Sequence, residues 1–304
     1  MIVGVTGATG FLGRYIVNRL LEAGHTCRCW HRPASDRGGF IDAGGKIQWI
    51  PGRLDDPDAT RALVDGVDAV VHSALERIGT GFGGFQASFR DDPLGMAQVN
   101  LMGSLRLIQA ARQSGVERFI FISSAAVHDV ILPDRPLDET HPLWPKTHYG
   151  AHKAAVEKFV HSYGLGEGWP ICALRPTAIY GVARPVEQSK WFDLVRRVAQ
   201  GQPIESSRGG KEVHAADVAR AVHLLLEAPT NQIAGQCFNC FDLYVAEQDV
   251  AQIAKRLTGS NSPIADLNRG PKNLIDTSKL RALGMRFGGR ALLEQTVQQL
   301  AEAA

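Results

Sequence analysis

The chain lacks the features that would place it in a membrane or outside the cell. None of its apolar runs approaches the roughly 20 residues that a bilayer-spanning helix requires. Its first residues show no charged stretch leading into an apolar signal core, because the apolar residues there belong to a first strand. Cysteine is sparse and odd in number, five in 304 residues, which argues against a disulfide scaffold. Net charge is nearly absent as well, at +2 with the two signs interspersed, so nucleic acid is not an expected partner. These absences predict a cytoplasmic protein that acts on a small molecule rather than on nucleic acid or a membrane. With 44% hydrophobic residues over this length, the chain can bury a large core as one or two domains.

Strand and helix signals alternate along the first two thirds, which predicts an α/β fold with a doubly wound parallel sheet. The predicted strands cover residues 2–6, 26–30, 47–50, 69–72, 118–123 and 171–174. The helices between them stop near Gly24, Gly66 and Gly115. After Gly181 the rhythm becomes more helical and less regular. There is no internal repeat.

The first strand runs directly into Thr6-Gly7-Ala8-Thr9-Gly10-Phe11-Leu12-Gly13. Leu12, Ile16, Leu20 and Leu21 then keep a helical period until Gly24. In a strand-loop-helix unit, the first glycine permits a tight turn and the second lets the backbone approach a phosphate. The third lets the helix pack against the sheet. The free amides at the helix start then face a pyrophosphate, which predicts a Rossmann-type dinucleotide site. A glycine-rich loop without a ligand is the alternative.

Tyr149 and Lys153 stand one helical turn apart and so share a helix face. A free tyrosine, with a pKa of about 10, is a poor proton-transfer group at neutral pH. A neighbouring cation can lower that value by roughly 1–3 units and make the phenol a usable acid or base. Taken alone, such a pair is also compatible with a solvated helix face. Phe119-Ile120-Phe121-Ile122-Ser123-Ser124 reads as a buried strand that delivers hydroxyls at its carboxyl end, the edge where open parallel sheets bind ligands. Ser124 is therefore a candidate hydrogen-bond donor beside Tyr149, with a cap or turn role as the alternative.

Together these motifs resemble the extended short-chain dehydrogenases/reductases, the NAD(P)-dependent epimerase/dehydratase group that includes UDP-galactose epimerase. The resemblance covers nearly the whole chain. Besides the segments above it includes Val71-His72-Ser73-Ala74, Val99-Asn100-Leu101, Arg175-Pro176-Thr177-Ala178-Ile179-Tyr180-Gly181, Val213-His214 with Asp217, and Asp276-Thr277-Ser278-Lys279-Leu280. It implies a catalytic set of Ser124, Tyr149 and Lys153, with Asn100 as a supporting polar residue. It further implies a cofactor seat that includes Gly7, Thr9, Gly10, Phe11, Leu12, Gly13, Leu54, Ser73, Ala74 and Pro176, together with Tyr149 and Lys153. The expected division is a dinucleotide-binding domain over residues 1–178 and a smaller, mainly helical substrate lobe over 179–304, partly interleaved. A homodimer through helices near 94–112 and 149–163 is the expected assembly.

Cofactor choice turns on the end of the second strand, where an NAD site places an acidic residue. This chain has His31 and Arg32 there, with Arg37 nearby and no carboxylate at the strand end itself. A guanidinium suits a 2′-phosphate. Arg53 stands where relatives often carry an aspartate that contacts adenine. NADP is thus favoured over NAD, which stays possible. Ala125-Ala126 occupy the place of the Asp-Glu pair of related dehydratases, so dehydration is not expected and hydride transfer is what remains. Lys211 and Arg269 resemble basic contacts to a nucleotide diphosphate, whereas Ala178 and His128 depart from the family pattern and weaken a sugar-nucleotide assignment. Three readings follow: an NADP-linked oxidoreductase or epimerase on a sugar-like hydroxy or keto compound; a UDP-sugar epimerase with retained NAD; and a non-catalytic NADP-sensing regulatory protein. A glycine-rich stretch over 76–93 is either an aromatic flap or a surface excursion. His148 and His152 are expected to be solvated helix residues rather than metal ligands.

Overall fold

The computed structural model describes residues 1–77 and 89–304. Its strands are β1 (Ile2–Thr6), β2 (Thr26–His31), β3 (Ile47–Pro51), β4 (Ala69–His72), β5 (Arg118–Ile122), β6 (Ile171–Pro176), β7 (Ala178–Tyr180), β8 (Gly209–His214), β9 (Gln236–Cys240) and β10 (Leu243–Ala246). Seven of them form one parallel sheet in the order β3-β2-β1-β4-β5-β6-β9. Sequences such as Arg-Phe-Ile-Phe-Ile in β5 and Ala-Val-Val-His in β4 are apolar almost throughout, as strands covered on both faces must be. Strand order runs one way from β1 to β3 and the other way from β4 onward. The crevice at the carboxyl ends of β1 and β4 is therefore the switch point where ligands bind in such sheets.

Helices cover both faces. On one side Ile16, Val17 and Leu20 of the helix Phe11–Glu22 share a core with Val218, Val222 and Leu225 of Ala215–Glu227. On the other, Leu63, Leu107, Ile108, Val156 and Val160 of the helices Pro57–Val64, Met102–Gln113 and His148–His161 pack beneath Val70, Phe119 and Phe121. Between Pro93–Met96 and Met102–Gln113 the helical path widens into one π-helical turn, Ala97–Leu101, in which the Met102 amide bonds the Ala97 carbonyl. Such turns are frequent where a helix serves a site.

The predicted strand ends agree to within two residues, but β7–β10 are additional. A second sheet, β10-β8-β7, supports a third core in which Tyr180, Phe192, Val195, Val250, Leu293 and Val297 meet. That core lies among the helices Phe192–Ala199, Glu247–Thr258 and Gly289–Ala303. Residues beyond 178 also return β9 and the helix Ala215–Glu227 to the main sheet layers. Among the described residues, no helix is long and apolar enough to cross a membrane. All five cysteine thiols are free and buried.

Candidate active site at the carboxyl edge of the sheet

The glycine loop is built by close approaches that side chains would block. Gly7 has φ +71°, and a Cβ there would stand 2.9 Å from the Ala74 amide nitrogen. A Cβ on Gly13 would fall 2.0 Å from the Gly7 carbonyl oxygen. Gly10, in extended conformation, begins the helix without a side-chain cap, and no acidic residue occupies the first turn. The amides of Phe11, Leu12 and Gly13 therefore lack intrahelical acceptors and are open to an anion. Arg14 holds the Thr9 carbonyl from outside.

A buried relay fixes this loop from below. Thr6 Oγ1 accepts hydrogen bonds from the Ser73 and Ala74 amides at 3.1 and 3.0 Å and contacts His72 Nδ1 at 2.7 Å. His72 Nε2 lies 2.8 Å from Ser104 Oγ, which donates to the Asn100 carbonyl at 2.6 Å. This pattern assigns the proton of a neutral His72 to Nε2. Burial, with Lys153 and His152 adding to it, lowers the His72 pKa to about 3 and keeps the ring neutral. A donor-lined, side-chain-free cradle of this kind fits the pyrophosphate of a dinucleotide.

At the other end of the crevice, His31 stacks edge-on against Trp49 at 5.9 Å and Arg32 follows it into solvent. The expectation that no carboxylate attends Arg32 is corrected: Glu76, beyond β4, brings its carboxylate to 3.6 Å from the guanidinium. Arg53 pairs with Asp55 at 3.2 Å, and Leu54 is buried beside it. Pro176 ends β6 in the register of Cys240. The predicted cofactor residues thus gather along one edge, at the ends of β1 to β4 and β6.

Ser124, Tyr149 and Lys153 converge on the same edge. Thr147 caps the helix His148–His161 by accepting the Gly150 amide. Gly150 lets that helix press against the turn after β5, since a Cβ there would lie 2.3 Å from the Ala126 carbonyl oxygen. This contact brings the Tyr149 hydroxyl beside that of Ser124. Ser124 also accepts the Ala126 amide at 3.2 Å, so its capping role and its contact with Tyr149 coexist. Phe89 packs its ring 5.7 Å from that of Tyr149; residues 78–88 of the predicted flap lie outside the described residues.

The electrostatics differ from the expected arrangement. Burial raises the Tyr149 pKa, and the Ser124 hydroxyl lowers it only in part. Lys153 is buried and donates to the Ile122 carbonyl at 2.7 Å, with its ammonium 4.6 Å from the Phe121 ring centre and 5.9 Å from that of Tyr149. Its own pKa is driven down to about 7 by burial, against which Glu157 pulls upward. An ammonium held on a backbone carbonyl does not offset the burial of the phenol. This is why the predicted lowering of the tyrosine pKa is absent.

Sequence reasoning missed the charged core beneath these residues. Glu157, one turn after Lys153, is 0% exposed and accepts Ser123 Oγ at 2.5 Å. It also takes a two-pronged pair from Arg175, at 3.0 and 2.8 Å. Arg175 further donates to His128 Nε2 at 3.2 Å, which ties the turn after β5 to β6. The position where His128 departs from the family pattern is thus occupied by a buried structural residue. Asn100 is fully buried on the π-helical turn; its side chain accepts the Glu76 amide at 2.7 Å and donates to the Glu76 carbonyl at 3.2 Å. His152 is buried rather than solvated, 6.0 Å from the Phe89 ring, while His148 is exposed. Ala178 is exposed at the start of β7, and Lys211 is half-buried in β8. A cavity of about 510 Å³ lies on the far side of the glycine loop, lined by Phe11, Arg14, Tyr15, Val182 and Arg184, and touches none of the catalytic candidates.

The chain is similar to known proteins in sequence and in fold. The NAD dependent epimerase/dehydratase family matches residues 3–240. A 3 beta-hydroxysteroid dehydrogenase/Delta 5-->4-isomerase of Mycobacterium tuberculosis is 31% identical over 63% of this chain, which spans 50% of that relative's length. The UDP-glucose 4-epimerase of Streptomyces lividans is 28% identical over 73% of this chain and 70% of its own. The solved structure of a Thermus thermophilus UDP-glucose 4-epimerase in complex with NAD superposes over 100% of both chains, with TM-score 0.77 and 24% identity.

Proposed function

Because the chain belongs to the NAD dependent epimerase/dehydratase family, we propose that it is an oxidoreductase or epimerase acting on a hydroxyl or keto carbon of a sugar-like or related small substrate. The observation that carries this reading is the Ser124–Tyr149 hydroxyl pair beside a buried Lys153, two strands across the sheet from the glycine cradle. In it, Gly7, Thr9, Gly10, Phe11, Leu12 and Gly13 hold a nicotinamide dinucleotide by its pyrophosphate. His31, Arg32, Arg53 and Leu54 border its adenosine end, and Ser73, Ala74 and Pro176 line the groove. When bound, the nicotinamide supplies or accepts the hydride.

The remaining steps belong to the chain. Ser124 orients the substrate oxygen and Tyr149 exchanges a proton with it. A raised pKa keeps Tyr149 in its phenol form at neutral pH, which is the form that protonates an oxygen during carbonyl reduction. Lys153, when protonated, supplies positive potential at the site, and Glu157 favours that form. Asn100 acts by holding the Glu76 segment rather than by moving protons. We favour NADP because β2 ends on His31 and Arg32 with no acidic residue in line. A UDP-sugar epimerase with retained NAD is the second reading, favoured by the Glu76 carboxylate beside Arg32. A homodimer through the helices of residues 93–113 and 148–166 is proposed from the exposed Leu94, Met102, Phe159 and Leu165 they carry.

Tyr149→Phe tests the reading. Across a panel of carbonyl compounds and nucleotide sugars followed by nicotinamide absorbance, turnover of whichever substrate is accepted should fall about 10²-fold or more. Dinucleotide affinity should hardly change. Unchanged turnover rejects the catalytic assignment, and dinucleotide binding without turnover of any compound by the unmodified protein favours the sensor.

A further inference from the structure

We infer that Glu76 tunes which dinucleotide the protein accepts, by sharing the Arg32 guanidinium with the 2′-phosphate of a bound NADP. The inference rests on the reading above, in which the dinucleotide lies along the carboxyl edge with Arg32 at its adenosine ribose. It deepens that reading by assigning selectivity to a residue on a different strand end.

Strand order places the two charges on opposite banks of the crevice. β2 and β4 both pair with β1, so a contact between Arg32, just past β2, and Glu76, beyond β4, spans the carboxyl end of β1 and its glycine loop. Glu76 is not free to drift from this position. Asn100, 0% exposed on the π-helical turn, grips its main chain by both the amide and the carbonyl. The main chain that carries the carboxylate is therefore fixed by a core residue, and the Glu76 side chain is 23% exposed against 59% for Arg32. At 3.6 Å the pair is an ion contact that leaves guanidinium N–H groups unused.

This arrangement makes Arg32 a shared cation. The ribose of NAD adds no charge and can leave the pair intact. The 2′-phosphate of NADP needs the guanidinium, and it arrives beside a carboxylate that already holds it. Glu76 thus weakens NADP binding relative to what Arg32 alone would give, and narrows the difference between the two cofactors. Partly exposed ion pairs of this type are worth up to roughly 1 kcal/mol, which corresponds to about a fivefold change in affinity.

The test needs no substrate. NADPH and NADH are titrated by their fluorescence against the full chain carrying no change, Glu76→Gln, Arg32→Ala, or both. Glu76→Gln should tighten NADPH about three- to fivefold relative to NADH, and high salt should shrink the gain. Glu76→Ala should act in the same direction, since Asn100 holds only the main chain. In the Arg32→Ala background the gain should vanish. An unchanged NADPH-to-NADH ratio in Glu76→Gln overturns the inference while leaving dinucleotide binding intact. An equal gain without Arg32 also overturns it, because direct repulsion would then be at work. A chain that binds neither dinucleotide overturns this inference together with the reading beneath it.

Discussion

Removing the Glu157 carboxylate should cost more than any other single change near the site. Glu157 and Arg175 are 0% and 2% exposed, so each neutralises the other away from bulk solvent. Glu157→Ala leaves the guanidinium hydrogen-bonded only to His128 Nε2 at 3.2 Å and the Glu139 carbonyl at 3.4 Å, with the Glu139 carboxylate as a weaker electrostatic partner. Breaking one member of a buried pair typically costs about 3–5 kcal/mol. Ser123 Oγ loses its 2.5 Å acceptor as well, adding about 1 kcal/mol. Glu157→Gln preserves shape and one acceptor, so its cost should be smaller, about 2 kcal/mol. The double replacement Glu157→Leu with Arg175→Met should recover much of the loss, because apolar groups of similar volume need no partner. Urea unfolding of the four proteins measures these differences. A loss below about 1 kcal/mol for Glu157→Ala, or a double variant as unstable as the single, would refute the idea that a desolvated charge pair anchors this edge.

Two further outcomes follow from the same structure. Gly13→Ala forces a Cβ to within 2.0 Å of a backbone oxygen, so the helix must shift. Stability should fall by about 1–3 kcal/mol and dinucleotide affinity by at least tenfold, and isothermal titration showing normal affinity would contradict the cradle. Acid should also destabilise the fold well before the carboxylates titrate. Burial lowers His72 and His152 to about 3, and His128 and His214 to about 4, all below the unfolded value of about 6.5. The unfolded chain therefore binds more protons between about pH 6.5 and 5, and stability should drop as pH falls through that window, by about 1.4 kcal/mol per pH unit for each proton involved. Equal denaturation midpoints at pH 7 and pH 5 would exclude this linkage.

What the sequence disclosed was whatever short-range pattern can carry. The glycine loop, the Tyr149–Lys153 spacing and the apolar strands depend on neighbours within a turn or a strand, and residue order encodes those directly. Arg32 and Glu76 are 44 positions apart, and Glu157 meets Ser123 and Arg175 across 34 and 18 positions. Only strand order brings such groups together, so no local spacing announces them. Strands β7 and β8 were hidden for another reason. They are short or polar, as in Gly-Gly-Lys-Glu-Val-His, and take their shape from each other rather than from propensity. A cation at the right spacing predicts a lowered Tyr149 pKa, whereas burial of the phenol and the tether of Lys153 to Ile122 decide its direction.

The π-helical turn at Ala97–Leu101 gives one helical path two rotational phases. In an unbroken α-helix each residue advances about 100°, so Met96 and Leu107, eleven residues apart, would point within about 20° of each other. Instead Met96 joins Phe89 and Tyr149, while Leu107 joins the cluster under Phe119 and Phe121. The extra residue in the widened turn lets the front of the path answer to the catalytic edge and the rear to the sheet. Length in this stretch is consequently as constrained as chemistry: excising one residue of the widened turn would bring the two phases into step.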